Sequence, residues 1–431
     1  MLLKTTIKSW VMNFMASDTK RSLMRGKAFW QERIAGEPTH VKYFHQVDDP
    51  YSHLVVHHLD KLMSDYDLPF EVNLVSAPSV LFQGDASRFA QWALDDASQI
   101  AEFYSVTFPE DAKLPSESMV GGANNQLIPF VGTDKFAAEA CRVGDALWSG
   151  NIEPSAANRE SRRSVDAGNK LRARKGHYLG GMFYFCGEWY WGLDRLHYLE
   201  DRLQTLGFSR NSGPSLPAPQ IQKADGLNAE NLKLEYFPSL RSPYSAIGHA
   251  RVLDLVERSG VNLVIRPVMP MMMRGVPAPF SKQSYIVSDT AREAKHFNVP
   301  FGNIVDPFGE PVKKAFSLFP WATRQGKAQE FVTEYLSAAW AKGVDITTDL
   351  GLRQVVEAAG LSWSEALLNF QNDEWEKMLD ENVNDMLAAG LWGVPSFRIT
   401  GGNTEQSYAC WGQDRIWRVE EEIVRRNSNQ K

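Results

Sequence analysis

Cysteine is scarce in this chain. Its 431 residues include only Cys141, Cys186 and Cys410, and none of them belongs to a Cys-x-x-Cys pair. An odd number of widely spaced cysteines argues against a disulfide framework, and the missing pair argues against dithiol redox chemistry. We therefore expect a reducing compartment, and the cytoplasm fits best.

The chain also lacks a long apolar run, a cluster of basic residues and the sequence features of a signal peptide. No run of about 18 apolar residues occurs, so we expect no membrane span. Lysine and arginine are scattered along a chain of formal net charge −6, so binding to nucleic acid is not expected. The amphipathic N-terminus lacks the apolar core and cleavage site of a signal peptide, and we expect a surface helix that packs on the first domain. A membrane-surface or targeting role is the alternative for that segment.

The chain contains two similar halves. VKYFHQVDDPYSHL at 41–54 aligns without gaps with LEYFPSLRSPYSAI at 234–247, and Trp-Gly-x-Asp-Arg occurs at 191–195 and 411–415. In each half the predicted order is strand, Pro-Tyr-Ser helix, strand, helical middle, strand, Trp-Gly motif and helix. Two diverged copies of one α/β fold explain this order better than chance does.

The composition also divides the chain. Residues 209–231 are rich in Pro, Ser, Gly and Asn and are typical of an interdomain linker. We therefore predict a helical extension over 1–37, a first domain over 38–208 and a second domain over 232–427. The helical middles are insertions that follow the second strand of each domain.

Four motifs of the second half occur in a fixed order: SPYS at 242–245, PFSKQSYIVSDTAREAKHFNVPF at 279–301, WGVPSF at 392–397 and WGQDR at 411–415. Together they resemble the DsbA-like thioredoxin-fold family, specifically its branch of 2-hydroxychromene-2-carboxylate isomerases and kappa-class glutathione transferases. The resemblance covers nearly the whole second half, and the first half is similar in outline but degenerate. It implies two tandem thioredoxin-like (DsbA-like) domains, each with a helical insertion.

The resemblance also implies a glutathione-dependent isomerase or transferase that acts on a small aromatic or electrophilic co-substrate. Ser242 stands where DsbA-type oxidoreductases have their nucleophilic cysteine, and as the catalytic residue it would hydrogen-bond the glutathione sulfur. A hydroxyl donor and a positive helix N-terminus both favour thiolate over thiol. From the residues alone the alternative is a helix N-cap, since Asp49 holds the same place in the first half, and the two roles are compatible.

Five further positions are implied glutathione contacts. Val394 and Pro395 lie in a loop that resembles the family's cis-proline loop and would hold the cysteinyl part. Gln413 and Asp414 would meet the γ-glutamyl end, while Lys282 would meet the glycine carboxylate or an acidic substrate. The alternatives are a plain strand-entry proline, a helix start and an exposed lysine.

Some positions depart from the family pattern. Val276 stands where many members have an asparagine that contacts substrate or glutathione, which leaves the co-substrate and the catalytic activity open. In the first half, Asp49 replaces the serine and Gly181 replaces the loop proline, so we interpret that half as a structural or regulatory copy. One alternative function is a thiol–disulfide protein of the same fold, which the missing Cys-x-x-Cys pair argues against. The other is a protein of this fold without dithiol activity, serving as a binding or scaffold protein whose halves form an intramolecular pseudo-dimer.

Asp49, His53 and His57 fall on one face of a predicted helix, at a spacing of four residues. A zinc site would need such a face and a further ligand, and no His-Glu-x-x-His motif or second cluster accompanies it. We therefore predict partly exposed histidines and no metal.

Overall fold

The computed structural model describes residues 2–36, 38–211 and 213–427. Met1, Glu37 and Ser212, which fall within the predicted extension and linker, and residues 428–431 lie outside this description. The chain divides into a first unit, residues 18–220, and a second unit, residues 1–17 with 221–431. No helix within the described ranges is both long enough and apolar enough to cross a membrane.

The first 220 residues contain nine α-helices and four strands within the described ranges. They are α1 (Leu2–Ala16), α2 (Asp18–Ile34), β1 (Val41–His45), α3 (Pro50–Asp65), β2 (Phe70–Leu74), α4 (Val80–Gln83), α5 (Ala86–Ile100), α6 (Glu117–Leu127), α7 (Phe136–Trp148), α8 (Arg159–Arg174), β3 (Met182–Phe185), β4 (Glu188–Trp191) and α9 (Leu196–Thr205).

The remaining described residues contain eight α-helices and four strands. They are β5 (Leu232–Phe237), α10 (Pro243–Ser259), β6 (Asn262–Ile265), α11 (Phe280–His296), α12 (Glu310–Arg324), α13 (Ala328–Ser337), α14 (Asp349–Ala358), α15 (Trp363–Asn369), α16 (Glu374–Ala388), β7 (Ser396–Gly401), β8 (Tyr408–Trp411) and α17 (Ile416–Asn427). A 3₁₀ turn spans Met271–Arg274 after β6, and another spans Gln413–Arg415 before α17.

Each unit contains a four-stranded mixed sheet. The strand orders are β2-β1-β3-β4 and β6-β5-β7-β8, and in both sheets the first pair is parallel and the other two pairs are antiparallel. A parallel pair requires a crossover connection, which α3 and α10 supply. The helical middles lie between the second and third strands of each sheet, as predicted, so the protein is mixed α/β.

The central strands β1 and β5 are largely buried and contribute aromatic side chains to the core. Tyr236 on β5 stacks on Phe397 of β7 with ring centroids 5.5 Å apart, and Tyr43 on β1 stacks on Phe183 of β3 at 4.8 Å. Each such ring contributes roughly 1.5–3 kcal/mol by leaving water. Just beyond β5, Leu240 is fully buried in the helical core of the second unit. That anchor fixes the loop that leads into α10.

The position of α1 differs from our expectation. Met12, Met15 and Ala16 pack against the helical core of the second unit, and the Asn13 side chain accepts a hydrogen bond from Ile304 N at 2.7 Å. The three apolar residues form a stripe of one helical turn, which needs an apolar partner. The prediction that the N-terminal helix packs on the first domain is therefore wrong for α1.

The predicted linker contains no helix or strand among its described residues, apart from a single bridge at Ser209, but its two parts are docked. Ser215 N donates to Glu200 Oε1 at 2.5 Å in the first unit, and Ala224 N donates to Glu420 Oε1 at 3.0 Å in the second. The boundary between the units falls between these anchors, inside the predicted linker.

Candidate functional site

Ser242 is the N-cap of α10. Its backbone is extended and its Oγ accepts a hydrogen bond from Ser245 N at 3.1 Å, which satisfies one of the free N–H groups of the first turn. Pro243 follows at the first helical position, where its missing N–H costs nothing. Within the described residues, Oγ makes no other hydrogen bond. The buried hydroxyl therefore keeps a proton that it can donate.

The Pro-Tyr-Ser triplet has the same structural role in both units. Its tyrosine donates to an aspartate on a later helix, and its serine accepts from a backbone N–H just after the first strand. These bonds are Tyr244–Asp289 (2.8 Å) and Ser239–Ser245 (3.1 Å) in the second unit, and Tyr51–Asp96 (2.6 Å) and Gln46–Ser52 (3.3 Å) in the first. The residue before the triplet is the one that differs between the units.

In the first unit that residue is Asp49, which also caps its helix. Its Oδ2 accepts from Ser52 N at 2.9 Å and from Ser52 Oγ at 2.7 Å. Burial raises the pKa of Asp49 to about 6, although these hydrogen bonds act in the opposite direction. A Cβ at Gly181 would lie only 2.9 Å from Oδ2, so the backbone just before β3 lies next to the N-terminus of α3.

In the second unit, the proline loop and the Trp-Gly motif are joined. The Val394–Pro395 peptide bond is cis, as expected from the resemblance. Pro395 O accepts a hydrogen bond from Gly412 N at 2.9 Å. The Trp411 indole lies against Gly393, where a Cβ would come within 2.1 Å of the ring. A glycine is therefore required at that position as long as the indole stays there.

The register of the sheet places this loop near Ser242. Phe237 at the end of β5 pairs with Ser396 at the start of β7. Hence the loop that leads to Ser242 and the loop that contains Val394 leave the sheet at the same edge. In the described part of the chain, neither the N–H nor the C=O of Val394 has a hydrogen-bond partner, and the residue is partly exposed. Both groups are free to pair with an extended peptide.

Gln413 differs from the expectation that its side chain faces a ligand. It is 1% exposed, its Oε1 accepts from Arg251 at 2.5 Å, and its Nε2 donates to Glu293 at 2.6 Å. Both ends of the amide are therefore engaged between α10 and α11. The next residue, Asp414, is the one that remains partly exposed.

Lys282 lies in the first turn of α11 and is partly buried. Burial lowers the pKa of Lys282 to about 8, so the ammonium form still predominates at neutral pH. Glu293 lies on the same helix, roughly 16 Å further along its axis. Lys282 and the Gln413 turn are therefore at opposite ends of α11.

Residues 233–424 match the family model of the DSBA-like thioredoxin domain. They form a DsbA-like thioredoxin domain. No curated protein matches the chain.

Three solved structures that are similar to this chain each cover less than half of it. A 2-hydroxychromene-2-carboxylate isomerase is 18% identical over 45% of this chain and 95% of that one, with a TM-score of 0.38. A probable DsbA oxidoreductase from Streptomyces coelicolor is 14% identical over 46% and 92%, with a TM-score of 0.36. The cytosolic disulfide reductase DsbM from Pseudomonas aeruginosa is 16% identical over 45% and 98%, with a TM-score of 0.34, and that protein has also been solved with GSH.

Sequence reasoning missed two arginines of the DsbA-like domain. Arg241, directly before Ser242, donates to both carboxylate oxygens of Asp306 at 2.7 and 2.8 Å and contacts Met272 Sδ at 3.3 Å. Burial alone would raise the pKa of Asp306, but the hydrogen bonds and charge of Arg241, helped by Lys8, lower it. This ion pair fixes the backbone just before Ser242 and ties it to the methionine-rich loop.

Arg274 ends the 3₁₀ turn of that loop. Its Nε and Nη2 are buried and have no hydrogen-bond partner within the described residues, and burial lowers the pKa of Arg274. A guanidinium with unmet donors is suited to a planar carboxylate. The arginine was visible in the sequence next to the methionine run, but nothing in that run indicated that its side chain would be buried.

Proposed function

We propose that the DsbA-like domain binds glutathione with its sulfur at Ser242 and uses it in an isomerisation or transfer reaction on a small, aromatic or electrophilic molecule. The reaction would be of the type that 2-hydroxychromene-2-carboxylate isomerases and kappa-class glutathione transferases carry out. The observation that carries the proposal is the buried Ser242 hydroxyl. It caps a helix of 17 residues and still has a proton to donate.

The chemistry follows from the thiol. A free thiol has a pKa of roughly 8.5, so only a few per cent is thiolate at neutral pH. A hydrogen bond to a charged group contributes about 1.5–3 kcal/mol, which corresponds to a lowering of the thiol pKa by one to two units. The positive end of the α10 dipole acts in the same direction. A serine hydroxyl cannot exchange disulfides, which argues against oxidoreductase activity at this position.

Other residues of the domain would hold the tripeptide. The unpaired N–H and C=O of Val394, next to Pro395, would pair with the cysteinyl residue as a strand does. Asp414 would accept from the γ-glutamyl ammonium group, and Gln413 would position that turn without touching the ligand. Arg274 or Lys282 would bind a carboxylate, either that of the glycine or that of an acidic co-substrate.

Catalysis would then be nucleophilic. The thiolate adds reversibly to an electrophilic carbon of the co-substrate, rotation occurs about the resulting single bond, and elimination regenerates the thiolate. In a transfer reaction the adduct is released instead. Holding the thiolate against the co-substrate supplies the entropic advantage of a positioned reactant. A cytoplasmic location would keep the glutathione reduced.

We infer that the first unit is a diverged copy of the DsbA-like domain. The strand orders agree, and the Pro-Tyr-Ser bonds recur. Gly192 N donates to Gly181 O at 2.8 Å, matching the bond from Gly412 N to Pro395 O. Asp49 would repel a thiolate, so this copy is a structural or regulatory one.

Isothermal titration calorimetry with glutathione tests the proposal. We expect saturable binding to the wild type and a loss of about tenfold or more in the Asp414→Asn variant. Asp194→Asn, at the same place in the first unit, is the matched control and should bind as the wild type does. Cysteinylglycine, which lacks the γ-glutamyl group, should bind weakly and should not respond to Asp414→Asn. The absence of heat from the wild type would refute the proposal.

A second candidate is a glutathione-binding or scaffold domain without catalysis. It is favoured by Val276, an apolar residue where the family resemblance leads us to expect an asparagine. Conjugation of glutathione to a simple aryl halide distinguishes the two candidates. Consumption of glutathione that depends on Ser242 supports the enzyme. Binding of glutathione without its consumption, with this and other electrophiles, supports the scaffold.

A further inference from the structure

A cluster of metal-binding side chains lies in the first unit, apart from the proposed glutathione site. His53 and His57 are one turn apart on α3, and α7 packs against this helix face and carries Asp145. In the sequence, Asp49 is the third residue on the predicted helix face that carries the two histidines. The structure gives Asp49 the capping role and brings in Asp145, which is distant in the sequence, as a third group.

The distances among the three groups suit one small cation. The two Nε2 atoms are 3.4 Å apart, and Asp145 Oδ1 lies 3.3 Å from His53 Nε2 and 4.0 Å from His57 Nε2. Tetrahedral zinc with bonds of about 2.0–2.1 Å requires its ligand atoms to be about 3.3 Å apart. Two edges of the triangle already meet this value, and a small rotation of Asp145 or His57 would shorten the third.

The helices hold His53 in place by packing. A Cβ at Gly144 would lie only 2.2 Å from His53 Nδ1, so the missing side chain allows α7 to approach the ring closely. His53 is 2% exposed at its side chain, whereas His57 is 24% and Asp145 is 52% exposed. The cluster therefore runs from the helix interface to the surface, and its open side leaves a coordination position for water.

We propose that His53, His57 and Asp145 bind one divalent transition-metal ion of the zinc class, with solvent as the fourth ligand. Two borderline imidazoles and one harder carboxylate form a donor set that zinc and cobalt accept. The ion would link α3 to α7 and stabilise the first unit. This role does not depend on glutathione binding.

The full chain, freed of metal with a chelator, is titrated with Co²⁺ as the probe. We expect d–d absorption of four-coordinate cobalt that saturates at one ion per chain and disappears when Zn²⁺ is added. Zinc should also raise the midpoint of thermal unfolding by about 5 °C at a large excess over the dissociation constant.

Variants decide which residues bind the ion. Asp145→Asn, which is nearly isosteric, and His57→Gln should each weaken Co²⁺ binding by about 100-fold, with unchanged circular dichroism. His296→Gln, at an exposed histidine of the second unit, is the control and should bind as the wild type does. The proposal is overturned if the wild type shows no saturable binding or if both variants bind normally. It is also overturned if Cys141→Ser abolishes binding, because the ion would then lie elsewhere on α7.

Discussion

Replacing Ser242 by alanine and by aspartate should separate its capping role from its proposed role towards the glutathione sulfur. Alanine removes both. The lost cap bond to Ser245 N, which is 3.1 Å long, should lower the free energy of unfolding by about 1 kcal/mol. The lost donor to the sulfur should cost about 1.5–3 kcal/mol of binding free energy, which corresponds to a 10- to 100-fold weaker affinity for glutathione.

Aspartate should keep the cap and oppose the thiolate. Asp49 shows this arrangement in the first unit, where its carboxylate accepts from Ser52 N at 2.9 Å and from Tyr51 N at 3.4 Å. We therefore expect Ser242→Asp to keep the cap bond, while burial of its carboxylate lowers the free energy of unfolding at neutral pH, as it does for Asp49. A carboxylate about 4 Å from a thiolate costs roughly 1–4 kcal/mol, depending on solvent exposure. Glutathione should then bind more weakly to this variant than to the alanine variant.

Urea unfolding measures the stability of both variants, and calorimetry at neutral pH measures glutathione affinity. Asp49→Ser is the matched control, because it exchanges the same two residues at the same helix position and should leave glutathione binding unchanged. The reasoning is refuted if Ser242→Asp binds glutathione as tightly as the wild type. It is also refuted if Ser242→Ala loses stability but keeps its full affinity, since Ser242 would then be a cap and nothing more.

Three further predictions concern stability. Burial raises the pKa of Asp49 to about 6, so between about pH 4 and 6 the folded state holds more protons than the unfolded state. The free energy of unfolding of the wild type should therefore fall with rising pH in this range, relative to that of Asp49→Ser. Parallel pH dependences of the two free energies would contradict this. Because burial lowers the pKa of Lys282 to about 8, the wild type should gain stability over Lys282→Met between about pH 8 and 10, and a constant difference would contradict this. Gly393→Ala should lower the free energy of unfolding, measured in urea, by about 2 kcal/mol or more because the added Cβ would overlap Trp411. Gly213→Ala, at a glycine with open space around it, should be nearly neutral. Equal effects of the two substitutions would show that the indole moves aside.

The order of the elements could be predicted from the sequence because it depends on local signals. A capping residue followed by proline predicted the starts of α3 and α10, and both helices begin there. The strand lengths were predicted less well. The apolar run VNLVIRPVMP at 261–270 favours a longer strand than is present, since β6 ends at Ile265, which pairs with Tyr236 near the end of β5. The length of a strand depends on its neighbour, which the local pattern does not contain.

The polar contacts of the site could not be predicted because they depend on packing between distant segments. Arg241 pairs with Asp306, 65 residues away, and Gln413 with Glu293, 120 residues away. The burial of Gln413 follows from the close approach of α10 at Gly248, where a Cβ would lie 3.1 Å from the glutamine Cβ. The resemblance correctly predicted the cis bond at Pro395, but no periodicity in the chain indicated it.

The central claim is that the second unit binds glutathione as a thiolate beside Ser242. The most direct test is a pH titration of the bound glutathione, followed by the ultraviolet absorbance of the thiolate, on the wild-type chain. A pKa of the bound thiol that is one to two units below its usual value of about 8.5 is the expected result. A bound thiol whose pKa is unchanged or raised, or a titration without any saturable signal, would contradict the account.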